Sequence, residues 1–237
     1  MEIPLPPWRR PSPRTRATRT PLTQDQIVQT ALRLVAAEGL EAVSMRRLAA
    51  EFATGPSSLY AHVANKDELY ELMFDEICRE ITIPEPDPAR WREQIKELAR
   101  SGYEAMVRHG DIAKAALARI PTGPNAMRVS DAMLGTLLGA GMEPTTAGWA
   151  LDRIFLYIVA DAYENSIYLH RFDDSPEKMH EYFVEMTGRL QAYYASLPTS
   201  EYPHLQAHAE AMTSGDGRQR IEFGLDMLID GLAHQLP

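Results

Sequence analysis

The chain has 237 residues, 45% hydrophobic and 24% charged, enough for one large or two modest domains with a real core and too apolar for global disorder. Ala and Leu together number 54 against 21 for Val and Ile, which argues against an all-β fold and for an all-α one. The net charge of −9 is unevenly divided: residues 1–66 carry nine basic and five acidic side chains, the remainder 15 and 28, so a basic front precedes a strongly acidic body.

Residues 1–22 form a basic arm of Pro, Arg and Thr without apolar periodicity, expected to be disordered when free. Its prolines and its lack of an apolar stretch exclude a secretory signal. Ile154 to Ala160, the longest obvious apolar run, lies between Arg153 and Asp161 and is far below the length of about 18 residues that a membrane span needs. Cys78 is the single cysteine, so neither an intrachain disulfide nor a thiolate metal site can form. A soluble, cytoplasmic protein is expected.

From Thr23 the pattern changes. Ile27, Ala31, Leu34 and Val35 recur at helical spacing, which predicts a helix over 24–38 with Thr23 as its N-cap and Gly39 as its stop. Ser44 caps a short helix that turns Leu48, Ala49 and Phe52 inward, and a second short helix follows over 56–62 with Leu59 and Val63 on its buried side. Asn65 and Glu68 have capping-box spacing at the head of a fourth helix, 66–82, whose end is set by Pro84, Pro86 and Pro88. Longer helices are predicted over 89–108, 111–119, 124–140, 144–169, 176–196 and 217–235, with Gly110, Gly123 and Gly141 at breaks. The 144–169 segment is apolar nearly all round, so burial on more than one side is expected. Residues 197–216, with Pro198, Pro203 and Gly215, read as a long mobile loop.

The short helices of the first 65 residues, two of them joined by a tight turn at Phe52 to Gly55, make a helix-turn-helix. The string SMRRLAAEFATGPSSLYAHVANKDEL at Ser44 to Leu69 closely resembles the DNA-binding domain of the TetR (tetracycline repressor) family. One departure is Ala53, where the family's turn usually has glycine. The resemblance implies a helix-turn-helix domain over 23–66, a linking helix over 66–82, and a ligand-binding and dimerisation domain over 87–237. It places Arg46, Ser57, Ser58, Tyr60 and His62 at DNA, with Lys66 on phosphate.

Ile221 to Leu232 is similar to the last helix of the tetracycline-repressor-type C-terminal domain, which packs with the 144–169 type helix against its partner copies. Ile221, Leu225, Leu228, Ile229 and Leu232 form one stripe and are the expected dimer interface. The family also binds small molecules between helices, and Leu98, Tyr103, Met106, Ala116, Leu151, Phe155 and Glu164 are the expected lining, with Glu164 as a polar anchor.

His109 to Ala116 is similar to the HxDxAK segment of tetracycline-binding members, but Ala116, Leu98 and Thr82 fall where those members carry magnesium- and drug-binding groups. Alanine cannot ligate magnesium, so a hydrophobic or aromatic effector is expected, without metal or cofactor. The reading is a homodimeric repressor of double-stranded operator DNA with no membrane partner. The alternative is a helical-bundle enzyme, or a metal-responsive regulator using His204 and His208, which stand four residues apart.

Overall fold

The structure, a computed structural model, describes residues 22–109, 111–117, 121–172 and 175–236, and these contain helices and no strand. The arm over 1–21, Gly110, and the expected helix end at 118–119 lie outside the described residues. Leu22 already packs against the core.

Helix α1 (Gln24–Glu38) is capped as its sequence requires: the Thr23 hydroxyl accepts from Gln26 N while the Gln26 side chain accepts from Thr23 N. It stops at Gly39, whose φ of 79° is open to glycine and costly to other residues. Helix α2 (Met45–Glu51) starts on the Ser44 hydroxyl, and α3 (Pro56–Leu59) starts with proline at its first position. The turn between them puts Ala53 at φ 47°, the left-handed conformation that glycine adopts without strain and that costs alanine about 1–2 kcal/mol.

Two boundaries at the reading head and its linking helix differ from those expected by several residues. Helix α3 closes at Leu59 instead of 62, because the backbone must become extended at Asn65, which caps α4 (Lys66–Cys78) by accepting from Glu68 N at 2.8 Å. The Glu68 carboxylate reaches back to Ala64 N, one residue before the cap. Helix α4 ends at Cys78 instead of 82, and the Arg128 guanidinium donates to Cys78 O at 3.0 Å and, three residues beyond the end, to Ile81 O at 3.2 Å.

The body comprises α5 (Trp91–Arg108), α6 (Ile112–Ala116), α7 (Pro124–Gly139), α8 (Pro144–Arg171), α9 (Pro176–Ala195), α10 (Pro203–Ala207), α11 (Ala209–Met212) and α12 (Gly217–Ala233). Helix α8 is central and packs on α5, α6, α7 and α12, while α4 packs on α1, α6 and α7 and so joins the two ends of the molecule. The segment expected to be a mobile loop holds α10 and α11, both packed on α9. Helix α8 is also less enclosed than expected: Ile154, Ile158 and Ala162 are buried, but Trp149 is 68% exposed and Ile167 is exposed with it.

Two devices hold α12. Three basic residues one turn apart on α5 meet three acids on α12 in antiparallel order: Arg92 with Asp230, Lys96 with Asp226, and Arg100 with Glu222 in a two-pronged pair at 2.5 Å. The Arg100 guanidinium holds the Glu222 carboxyl below its ordinary range. Beyond this ladder, the Tyr157 hydroxyl donates to Ile221 O at 3.1 Å and lies where a side chain at residue 224 would begin, so a larger residue there would displace the tyrosine.

Candidate DNA interface and ligand cavity

The reading head is assembled around Ile27, Leu48, Leu59, Val63 and Leu69, all buried. Burying Leu59 and Val63 leaves the opposite side of α3 and its following turn outside: Ser57, Ser58 and Tyr60 are exposed, and His62 is half-buried with its carbonyl accepting from Gln24 Nε2 at 2.9 Å. The Ser58 hydroxyl shares a 2.8 Å hydrogen bond with Thr54, which orients it from inside the turn. On α2 the adjacent arginines divide the work. Arg47 is tied to Glu38 and Glu51, which raise its pKa, whereas Arg46 is exposed. Lys66 is exposed at the start of α4 with its ammonium 5.1 Å from the Tyr70 ring centre, a cation–π contact that steadies it. The six residues expected at DNA thus lie on α2, α3, the turn after α3 and the start of α4.

The reading head is anchored to the body at the turn after α1. Asp111 accepts from Leu40 N at 3.3 Å and pairs with His170 at the end of α8, and Lys114 on α6 pairs with Glu41.

Between α4, α5, α7 and α8 lies a cavity of about 460 Å³, within the usual size range for small-molecule sites. Phe74, Ile77 and Cys78 line it from α4, Leu98, Gly102 and Met106 from α5, Ala126, Met127 and Met133 from α7, and Leu151, Phe155 and Ile158 from α8. Of the expected lining residues, Leu98, Met106, Leu151 and Phe155 are in this wall. The other three are elsewhere. Ala116 is buried in the core of α6, away from the wall, and Tyr103 lies on the side of α5 turned toward Asp161 and Glu164. Glu164 is exposed and does not line the cavity, so it is no anchor within it; it lies along α8 beyond Ile158, the last residue of that helix in the wall, and the acid in the wall is Asp152. Burial pushes the Cys78 thiol up to about 12, with nearby Asp75 adding to the shift, so it meets the cavity as a neutral group.

The expected dimer stripe divides. Ile221, Leu225 and Ile229 are buried within their own subunit, and Leu228 and Leu232 pack partly against the same core. The apolar residues that α12 leaves outside are Phe223, at 65% exposure, and Met227. His204 and His208 are exposed around α10, and no group of three or more His, Cys, Asp or Glu side chains able to hold a metal occurs among the described residues. No helix among them is long and apolar enough to cross a membrane.

A helix-turn-helix head joined through one helix to an all-α body with an apolar cavity defines a class of one-component DNA-binding regulators. Residues 27–73 match the model for bacterial regulatory proteins of the tetR family, and residues 83–236 match that for the tetracyclin repressor-like C-terminal domain. The chain belongs to the TetR family and is a DNA-binding transcriptional regulator, not an enzyme. It is 31% identical to the HTH-type transcriptional repressor DrrR1 of Streptomyces coeruleorubidus over 94% of this chain and 81% of that one. It is 30% identical to the class E tetracycline repressor of Escherichia coli over 91% and 92% of the two chains. Among solved structures, the Streptomyces coelicolor TetR family protein ActR in complex with actinorhodin superposes with a TM-score of 0.81 at 41% identity, covering 90% of this chain and 96% of that one.

The positions of Arg46 and Lys66 predict separable effects. Arg46→Ala is expected to cost about 1–3 kcal/mol at particular base pairs, while Lys66→Ala weakens all sequences alike and flattens the salt slope by about one unit. Binding titrations on specific and random duplexes at several salt concentrations check both; equal losses on the two duplexes for Arg46→Ala would exclude base reading.

Proposed function

We propose that the protein is a homodimeric repressor that leaves a palindromic operator when a hydrophobic, ring-bearing molecule enters the cavity. The carrying observation is the composition of the wall. Leu98 lines it, and Cys78, Ser130 and Asp152 are its polar side chains, a set suited to an apolar body with one or two polar contacts. A magnesium chelate needs several oxygen or imidazole ligands, which this wall does not supply. ActR's complex with actinorhodin supports small-molecule control in a protein of this architecture.

Dimerisation is supported by the apolar residues left exposed on neighbouring helices, Trp149 and Ile167 on α8 with Phe223 and Met227 on α12. A two-fold pair of heads spaced about one DNA turn, roughly 34–36 Å, would read a palindrome in the cytoplasm. Arg46, Ser57, Ser58, Tyr60 and His62 are assigned to base and groove contacts, and Lys66 to phosphate.

The test is release of a fluorescent duplex selected by the protein from a random pool. Actinorhodin is expected to release it equally with and without chelator, and tetracycline with magnesium is expected not to. Release by micromolar tetracycline that a chelator abolishes would overturn the reading of the cavity.

A further inference from the structure

Helix α7 begins with Thr-Gly-Pro, a start with no side chain at the cap position to satisfy its first amides. The missing cap comes from another helix. Asp75 of α4 is buried, and its Oδ1 accepts from Asn125 N and Ala126 N, each at 2.9 Å, while Oδ2 accepts from Asn125 Nδ2 at 2.9 Å. Gly123 makes this approach possible, since a side chain there would start 2.2 Å from the Asp75 carboxylate.

The exchange is reciprocal. From α7, Arg128 donates to Cys78 O and Ile81 O at the end of α4. A carboxylate thus closes the N-terminus of α7 and a guanidinium the C-terminus of α4, each matched to the helix dipole it meets. Both helices line the cavity next to these contacts, through Phe74, Ile77 and Cys78 on one and Ala126, Met127 and Val129 on the other. The opposite end of α4 carries Lys66, nine residues or about 13 Å from Asp75 along the axis.

We infer that Asp75 is a positioning residue that joins α4 and α7 into one mechanical body, so that the cavity wall and the DNA-reading end move together. Separating the two helices would leave a buried carboxylate and the α7 amides unpaired, whereas moving them jointly against α5 and α8 leaves every one of these bonds intact. The inference needs only DNA binding, so it stands or falls separately from the nature of the effector.

The full-length protein, with the duplex it selects from a random pool, provides the test. Amide hydrogen exchange is followed at Asn125 and Ala126 with and without DNA, in wild type, Asp75→Ala and Asp75→Asn, with melting temperature as the check on folding. DNA is expected to slow these two amides by about threefold or more in the wild type, although they lie far from the reading head. In Asp75→Ala both should exchange about tenfold faster and no longer respond to DNA. Asp75→Asn keeps an acceptor and should retain a reduced response; it decides the matter if the alanine variant does not fold. A cap that merely stabilises α7 would speed exchange in the variants while leaving the wild-type amides indifferent to DNA. That indifference, or an undiminished DNA response in the variants, would overturn the inference.

Discussion

Phe223→Glu and Met227→Glu are each expected to give folded monomers whose operator affinity is lower by about a hundredfold or more, because the proposed dimer, reading two half-sites, loses one of them. Both side chains are exposed on α12, so a carboxylate there costs the isolated subunit little. Across a two-fold axis the same carboxylate appears twice in an apolar contact, and burying such groups unpaired costs several kcal/mol. Leu225→Glu is the contrasting variant. Leu225 is fully buried in its own subunit, so that change should lower the melting temperature of the subunit itself. Sedimentation velocity at micromolar protein separates the cases; a Phe223→Glu protein that remains dimeric would place the interface elsewhere.

Leu59→Ala should abolish specific DNA binding with little effect on the body. Helix α3 has four residues, too few to form unaided, and Leu59 is the one among them that is buried. Truncating a buried leucine costs about 2–5 kcal/mol, and here that loss falls on the element that presents Ser57, Ser58 and Tyr60. Duplex affinity is expected to fall about fiftyfold or more, while helices α5 to α8 keep their hydrogen-exchange protection. Binding within fivefold of wild type would show that α3 is held by something other than its leucine.

Much of the reading head was legible in the sequence because its determinants are local. Thr23, Ser44 and Asn65 each cap the helix that follows, Gly39 ends α1, and Ala53 adopts the positive φ that its place in the turn demands. The body was less legible because its decisive contacts join distant segments. Periodicity identified an apolar stripe on α12, but nothing in a stripe says whether its own subunit or a second copy covers it; Ile221, Leu225 and Ile229 turned inward, and Phe223 and Met227 did not. Asp75 stands beside Glu76, one turn from Glu71 and Arg79, and resembles any solvated acid until its partners, 50 residues away, are brought to it.

The ladder between α5 and α12 and the Tyr157–Gly224 contact together act as a two-stage ratchet on the placement of the last helix. The rungs repeat every turn, so a slip of α12 by one turn would still match Arg92 with Asp226 and Lys96 with Glu222, while setting Arg218 opposite Arg100. Half-exposed pairs of this kind discriminate weakly between adjacent settings, particularly in salt. Tyr157 does not share that repeat. The same slip would bring Arg220 to its ring in place of Gly224, and the opposite slip Leu228, where a side chain would have to displace the ring. Charge draws the helix toward more than one stop, and the missing side chain favours one of them.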